Sequence, residues 1–167
     1  ALLSPRQHHV YAVGAQGVAS KKAWDEAVRA TLGDEHYQCV STSSLGSLCL
    51  SVYVHRGLRS LVTHPQTESF AKPGVGKGHG AIAVSMSVGN TSFAFVCCKL
   101  SEGADKVAAR NEEFEAIDHG LLLMPETVSA VPEETTAEEH LRSVRRRRRI
   151  SARFERVFWF GALNYGV

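Results

Sequence analysis

The stretch that decides the fold reads RVFWFGALNYGV and occupies residues 156–167. Residues 157–160 form an apolar run of β-branched and aromatic residues, which is typical of a buried strand. Gly161 breaks the run, and a polar turn that carries Asn164 follows. A buried strand that delivers polar groups at its carboxyl end is a common way to build a site on a sheet. We therefore expect a functional site where this strand ends.

The composition is that of one globular domain. The chain has 167 residues, of which 44% are hydrophobic and 22% charged, and this length is sufficient to bury a core. A net charge of +2 is too small to imply a polyanionic partner, so any electrostatic argument must be local. No apolar run reaches the length of about 18 residues that a membrane-spanning helix needs.

The cysteines and the start of the chain indicate its compartment. Four cysteines have no C-x-x-C spacing, and two of them, Cys97 and Cys98, are adjacent. Reduced thiols in an intracellular protein explain this pattern more simply than a metal site or a secreted disulfide framework. The first residues lack Met and a signal-peptide pattern, so we interpret the start as a cut or processed terminus.

The pattern of apolar residues predicts a mixed α/β fold with antiparallel pairing. Ser20 suits a helix N-cap, and apolar residues at helical spacing continue until Gly33. The pair Gly89-Asn90 suits a tight hairpin turn between two apolar strands. The predicted strands are 10–13, 37–40, 48–54, 58–63 as a partner of 48–54, 81–88, 91–100 and the final run. The predicted helices are 20–32 and 105–117, the second with Val107, Phe114 and Ile117 inward.

Five stretches, taken in order, resemble the inositol polyphosphate 5-phosphatases of the exonuclease–endonuclease–phosphatase superfamily. The final run is similar to the family's W-F-G-D-L-N-Y-R, and the pattern is nearest to the SH2-domain-containing inositol phosphatases. The other four stretches are YAVGAQG at 11–17, GKGHGAIAVS at 76–85, TSFAFVCCKL at 91–100 and RNEEF at 110–114. They are similar to a first strand ending G-T-Q-E, to G-N-K-G-A-V-x-V-S, to T-S-F-x-F-V-N-S-H-L and to R-N-x-D/N-Y.

The resemblance implies the site residues. In the family, a glutamate at the position of Gly17 holds Mg²⁺, and an aspartate at the position of Ala162 acts as base or orients water. An Asn and a His face the phosphate where this chain has Cys97 and Lys99. The remaining matched positions, expected to bind substrate or to assist catalysis, are Gln16, His79, Arg110, Asn111 and Asn164. By residue type alone, Asn164 is equally well a turn former.

The resemblance implies a two-sheet β-sandwich flanked by helices, of which the chain holds about the first half. Residues 1–167 are then a partial domain, with a charged loop insertion at about 118–150. The family's later W-C-D-R and S-D-H segments are absent from the sequence. Half a sandwich leaves core faces uncovered, so we expect a protein partner to cover them.

The family removes the 5-phosphate from phosphoinositides or soluble inositol phosphates with Mg²⁺ and an activated water. Gly17 and Ala162 supply neither a metal ligand nor a base, so we expect this chain to be catalytically impaired. The alternative is a non-catalytic phosphoinositide-binding or scaffold subunit, and a nuclease of the superfamily is a weaker one. Retained folding with lost chemistry, inactivating substitutions and an imperfect sequence all fit the substitutions.

Residues Arg145–Arg149 form a basic run that follows a Glu-rich stretch. The run is either a solvated loop or a contact to anionic lipid head groups or nucleic acid, since each basic residue near such a surface contributes about 1 kcal/mol. We expect a phosphoinositide or inositol phosphate as partner and no nucleic acid. The predicted location is the cytoplasm, with association at a membrane surface.

Overall fold

The computed structural model describes residues 7–71, 79–125 and 148–166. Within them the chain forms two sheets with helices outside, so the predicted mixed α/β sandwich is confirmed. The strands are β1 Val10–Ala15, β2 Tyr37–Leu45, β3 Leu48–His55, β4 Val62–Ala71, β5 Gly80–Val88, β6 Thr91–Lys99 and β7 Arg156–Ala162. The helices are α1 Lys21–Leu32, α2 Val107–Gly120 and α3 Ile150–Arg153, with 3-10 turns at Arg56–Leu61 and Ala104–Lys106.

The two sheets differ in width. The first has three strands in the order β1-β3-β2, and the second has four in the order β4-β5-β6-β7. Every pairing is antiparallel except that of β6 with β7, which is parallel. The sequence therefore folds as predicted into mostly antiparallel sheets, with the decisive final run as the parallel strand at one edge.

Three apolar clusters build the core. One lies between the sheets and joins residues such as Val52 of β3, Val84 of β5 and Phe95 of β6. A second packs the outer face of the four-stranded sheet against α2 and α3 through Ile117 and Ile150. A third packs α1 on the outer face of the three-stranded sheet. Alternation along β5 and β6 supplies both faces of the four-stranded sheet, because successive side chains point to opposite sides.

Helix α1 follows the capping signals of its sequence. The Oγ of Ser20 accepts a hydrogen bond from the N–H of Ala23 at 3.3 Å, which satisfies one free donor of the first turn. Gly33 ends the helix with φ of 85°, and its N–H donates to the carbonyl of Arg29. The prediction of this helix is confirmed.

The prediction that residues 58–63 pair with β3 is wrong. β3 already has β1 on one side and β2 on the other, so no edge remains for a third partner. The chain instead forms the 3-10 turn Arg56–Leu61, in which Nδ1 of His55 accepts from the N–H of Gly57, and crosses to the other sheet. There β4 pairs with β5.

Helix α2 corrects the prediction that Val107 points inward. Val107 is 48% exposed, whereas Ile117 is buried and Phe114 packs on Trp159 with ring centroids 4.6 Å apart. In the first half of the helix, the buried side chains are the polar residues Arg110 and Glu113. An apolar pattern does not reveal a face of this kind.

The predicted charged insertion at about 118–150 coincides only partly with the described residues. Helix α2 runs to Gly120, and the buried carboxylate of Asp118 accepts hydrogen bonds from both the N–H and the Oγ of Ser151, each at 2.9 Å. This contact fixes α3 to α2. Residues 126–147, which include the Glu-rich stretch and the first three arginines of the basic run, lie outside the described residues.

Among the described residues, no helix combines the length and the apolar character needed to cross a bilayer.

Candidate functional site

The candidate site lies at the end of the four-stranded sheet where β6 and β7 terminate. We call this end of the strands the site edge. Because these two strands are parallel, their carboxyl ends meet, and Lys99 is the register partner of Ala162. β5 runs antiparallel to β6, so its first residue, Gly80, pairs with Lys99 from the other side. His79 precedes Gly80. The sheet therefore brings His79, Lys99 and Ala162 to one edge.

Strand β1 of the opposite sheet ends at the same edge. The Nε2 of Gln16 donates to the carbonyl of Cys98 at 3.3 Å, which ties the end of β1 to the end of β6. A Cβ on Gly14 would lie 2.6 Å from Phe160 and 2.8 Å from the Sγ of Cys97, so only glycine permits the sheets to approach this closely. Gly17 follows with φ of 73° and open space around its Cα. Gly17, the predicted metal position, thus lies at the same site edge.

Gly161 sets the path of the chain beyond β7. Its φ is 115°, and a Cβ there would lie 2.2 Å from the carbonyl oxygen of Cys98. The next residues curl over the edge: the N–H of Leu100 donates to the carbonyl of Ala162 at 3.0 Å. The Nδ2 of Asn164 then donates to the carbonyl of Leu100 at 2.8 Å, with φ of Asn164 at 55°. Both observations fit the turn-forming role of Asn164.

Arg110 and Asn111 hold the loop and the chain end against α2. Arg110 is 2% exposed, and its Nη1 donates to the carbonyls of Ser101 and Gly103 at 3.1 and 2.6 Å. The ring of Tyr165 lies 5.2 Å from the guanidinium carbon, and the Tyr165 hydroxyl donates to Oδ1 of Asn111 at 2.7 Å. These groups position the site edge.

Sequence reasoning missed Glu113, Ser101 and Tyr165. The buried carboxylate of Glu113 accepts from the N–H and the Oγ of Ser101 at 2.7 and 2.6 Å, so it fixes the loop that leaves β6. The sequence carries no signal for Glu113, because an apolar pattern does not mark a charged residue on the helix face that carries Ile117. Tyr165 follows Asn164 directly, and its partner Asn111 is 54 residues away in the chain.

Two nitrogen groups at the edge remain candidates for contacting an anion. Lys99 forms an ion pair with Glu102 at 3.1 Å, and both side chains are partly open to solvent. The Nδ1 of His79 is buried and has no hydrogen-bond partner among the described residues. Both residues line a cavity of about 10 Å³, which has room for one water molecule but not for a phosphate group. The other described lining residues are Phe70, Gly80, Leu100, Glu113 and Ile117.

Cys97 lies apart from this group. Its side chain belongs to the cluster between the sheets and is 1% exposed. Burial raises the pKa of the Cys97 thiol to about 11, because the thiolate loses its hydration. Cys97 is therefore a neutral core residue at pH 7, and its assignment as a substrate contact stays a prediction that its burial disfavours.

Within the described ranges, the residues at the two positions where the resemblance places acids do not suit a magnesium ion. Mg²⁺ prefers carboxylate and water oxygens in octahedral geometry, and neither Gly17 nor Ala162 carries a side-chain oxygen. Among the described residues, no group of three or more His, Cys, Asp or Glu side chains is placed to hold a metal ion. Glu102 and Glu113, the nearby acids, are engaged by Lys99 and Ser101.

Comparison with known proteins relates this geometry to a family. Residues 4–167 match the family model described as endonuclease/exonuclease/phosphatase family 2. A phosphatidylinositol 3,4,5-trisphosphate 5-phosphatase 2B of Danio rerio is 32% identical over 98% of this chain and 12% of its own length. A human phosphatidylinositol polyphosphate 5-phosphatase type IV is 26% identical over 93% of this chain and 23% of its own length. The chain thus spans less than a quarter of these curated relatives.

Solved structures show the same fold. The inositol polyphosphate 5-phosphatase domain of SPsynaptojanin, crystallised with inositol (1,4)-bisphosphate and a calcium ion, has a TM-score of 0.69 at 17% identity. The match covers 98% of this chain and 46% of that one. A Cimex nitrophorin in its ferrous NO complex reaches a TM-score of 0.53 at 18% identity over 68% of this chain. The fold therefore occurs in proteins named for different chemistry.

Proposed function

We propose that this chain, which belongs to the endonuclease/exonuclease/phosphatase family 2, binds the phosphate groups of inositol phosphates or phosphoinositides. We propose further that it does not hydrolyse these phosphate esters efficiently. One observation supports the proposal. The ends of β1, β6 and β7 lie together, and Gly17 and Ala162 stand at the positions where the resemblance places acids. The chain would be about half of a phosphatase domain that has kept its framework.

Hydrolysis of a phosphomonoester makes three demands on such a cleft. A carboxylate must fix the metal, a second group must orient the attacking water, and donors must stabilise the charge that develops on the phosphate. Gly17 and Ala162 meet neither of the first two demands. Loss of one such group typically lowers the rate by about 10²–10⁴-fold, and no group of acidic side chains in the described part of the chain replaces them. Efficient hydrolysis is therefore not expected of this chain.

Phosphate binding requires only positive charge and hydrogen-bond donors, which the remaining side chains can supply. The ammonium of Lys99 is held only by a partly exposed ion pair with Glu102, and such a pair contributes little. Lys99 can therefore exchange this partner for a phosphate oxygen, and His79 is the neighbouring residue that the resemblance also places at the substrate. Arg110 and Asn164 are positioning residues in this scheme, because Nη1 of Arg110 and Nδ2 of Asn164 already bind the carbonyls of the surrounding loop. Gln16 would close the cleft from the β1 side.

The basic run supplies a second contact in the proposal. Arg148 and Arg149, its described members, are exposed and directly precede α3. We propose that residues 145–149 bind anionic lipid, so that the chain acts in the cytoplasm at a membrane surface.

Phosphate release tests the catalytic half of the proposal. The chain is incubated with Mg²⁺ and phosphatidylinositol trisphosphate, and inorganic phosphate is measured against a buffer blank. We expect no release above the blank. Turnover clearly above it would refute the impaired cleft.

Vesicle sedimentation tests the binding half. Lys99→Ala should weaken binding to vesicles that contain phosphatidylinositol trisphosphate by about fivefold, since one basic residue near such a surface contributes about 1 kcal/mol. Lys22→Ala is the matched control, because it removes the same charge from an exposed ion pair on α1. Equal affinities of the two variants would exclude Lys99 as the phosphate contact. Replacement of residues 145–149 by Ser should also weaken binding, and unchanged binding would eliminate the arginine run.

A further inference from the structure

Ser151 lies two residues beyond the basic run and takes no part in the proposed function. Residues 148–151 read RRIS, so Ser151 has an arginine at both the second and the third position before it. No other serine or threonine in the sequence has arginine or lysine at both of these positions. Arg148, Arg149 and Ser151 are all exposed. Protein kinases select their acceptor hydroxyls by charge patterns of this kind, because acidic side chains of the kinase bind the arginines.

The hydroxyl of Ser151 lies against a buried carboxylate. Its Oγ donates to Oδ2 of Asp118, and its N–H donates to Oδ1, each at 2.9 Å. Asp118 is 1% exposed and belongs to the last turn of α2, where the free carbonyl groups of the helix carry a partial negative charge. A phosphate group on Ser151 would face both the carboxylate and this helix end. The contact that joins α3 to α2 would then become repulsive.

Helix α3 depends on its contacts with neighbouring segments. It contains only the four residues Ile150–Arg153, and a single turn of helix is not stable alone. Ile150 is fully buried in the cluster that also contains Ile117 of α2, and Nη1 of Arg153 donates to the carbonyl of Leu123 at 2.9 Å. These contacts require α3 to remain against the end of α2. Repulsion at Ser151 therefore acts on the whole of this short helix.

The start of β7 has a separate attachment. The N–H of Ser92 donates to the carboxylate of Glu155 at 2.9 Å, and the N–H of Glu155 donates to Oγ of Ser92 at 3.0 Å. This reciprocal pair involves neither Ser151 nor Asp118. A change at α3 is therefore expected to stay local and to leave β7 in place.

We propose that Ser151 is a phosphorylation site for an arginine-directed serine kinase and that its phosphorylation releases α3 from α2. In this step Oγ of Ser151 attacks the γ-phosphorus of ATP. The new bond joins Oγ to phosphorus, the bond from that phosphorus to the oxygen bridging the β- and γ-phosphates breaks, and ADP leaves. The hydroxyl proton passes to the catalytic aspartate of the kinase. The phosphoserine carries a charge of about −1.5 to −2 at pH 7 and has no hydroxyl proton to donate to Asp118. Phosphorylation of Ser151 is independent of phosphate binding at the cleft.

A kinase assay tests recognition of the site. The whole chain is incubated with Mg-ATP and a purified kinase that prefers arginine at the second and third positions before the acceptor, and mass spectrometry locates the phosphate. We expect one phosphate per chain, on Ser151. Arg148→Gln combined with Arg149→Gln should slow phosphorylation by about tenfold or more, because hydrogen bonds between charged groups have effects of that size.

Arg156→Gln provides the matched control. It removes the same charge from an exposed arginine that lies five positions after Ser151. This variant should be phosphorylated at the rate of the parent chain. Circular dichroism of each variant establishes that it is folded.

Hydrogen exchange of the phosphorylated chain tests the release of α3. The amide of Ser151, whose acceptor is Oδ1 of Asp118, should exchange about tenfold faster or more after phosphorylation, since it loses a hydrogen bond to a charged group. The amides of β7 should exchange as before. Asp118→Asn keeps an oxygen acceptor but removes the negative charge, so phosphorylation should accelerate exchange less in this variant.

Three results would overturn the inference: no phosphate on Ser151 of the folded chain, equal rates for the double arginine variant and Arg156→Gln, or unchanged exchange of the Ser151 amide after phosphorylation. The first two would exclude Ser151 as an arginine-directed acceptor. The third would show that α3 stays bound to α2 when Ser151 carries a phosphate.

Discussion

Gly161 provides the most direct test of how the site edge is built. We predict that Gly161→Ala destabilises the chain much more than Gly17→Ala does. Both residues have positive φ, 115° and 73°, but a Cβ at Gly161 would lie 2.2 Å from the carbonyl oxygen of Cys98, whereas a Cβ at Gly17 would meet no atom within 4 Å. The pair therefore separates backbone strain from steric overlap.

The magnitudes follow from these geometries. A non-glycine residue at positive φ costs about 1–2 kcal/mol, and the change from glycine to alanine offsets about 0.4–1 kcal/mol of this through the unfolded chain. Gly17→Ala should therefore cost about 1 kcal/mol or less. At Gly161, displacement of packed backbone adds about 1–3 kcal/mol, so the total should be about 3 kcal/mol.

Urea unfolding followed by tryptophan fluorescence and far-ultraviolet circular dichroism measures the difference. With a slope of about 1–3 kcal/mol per molar urea, a difference of about 2 kcal/mol separates the two midpoints by roughly 1 M. Trp159 on β7 reports the strand that Gly161 ends. A Gly161→Ala variant within about 0.5 kcal/mol of Gly17→Ala would refute the close contact between β7 and the Cys98 carbonyl.

Two further predictions concern buried groups. Burial raises the pKa of Cys97 to about 11 and the pKa values of Cys98 and Tyr53 to about 12. Each group therefore holds its proton more tightly in the folded chain than in the unfolded chain. The resulting stability is fully present below the unfolded pKa and is lost as pH rises toward the folded pKa. The free energy of unfolding should therefore fall between about pH 9 and 11, and a flat profile in urea titrations over that range would contradict this. Asp118→Ala should destabilise the chain by about 1–3 kcal/mol, because it leaves the N–H and Oγ of Ser151 without their acceptor, and it should cost more than Ser151→Ala. Equal unfolding midpoints for the parent chain and Asp118→Ala would show that this contact does not fix α3.

Elements whose local signals and packing agree could be predicted from the sequence. Ser20 and Gly33 bound α1 because capping is a local property. The hairpin at Gly89-Asn90 formed because a two-residue turn fixes the register of its strands. The run 157–160 became a strand as predicted, but the prediction that the strand is buried is wrong: Val157 and Trp159 pack on one core cluster and Phe160 on another, whereas Phe158 on this edge strand is 48% exposed.

Elements decided by distant partners could not be predicted in this way. Residues 58–63 have strand character, but the edges of β3 were already taken by strands that the local sequence does not reveal. Glu113 and Arg110 occupy the buried face of α2 because they bind main-chain groups of the loop at 101–103, and only the folded chain shows these carbonyls and N–H groups together.

For the candidate site, the sequence predicted the positions of residues along the chain but not the direction of every side chain. The resemblance led to the prediction that Lys99 and Ala162 lie near Gly17, and the structure places Lys99 and Ala162 opposite each other, with Gln16, the neighbour of Gly17, bonded to Cys98. The burial of Cys97 was not anticipated, because a motif gives the position of a residue and not the direction of its side chain. Its direction follows from strand alternation, which places Cys97 on the same face of β6 as Phe95 and opposite to Cys98.

The rim of the cleft is shaped largely by main chain. Gly14 and Gly161 bring strands into contact without side chains of their own, and the carbonyls of Cys98 and Leu100 anchor Gln16 and Asn164. A side chain introduced at Gly17 would have little effect on the shape of the rim, because a Cβ there would meet no atom within 4 Å. For protein engineering, acidic side chains could therefore be introduced one at a time, at Gly17 or Ala162, without changing the main chain that shapes the cleft.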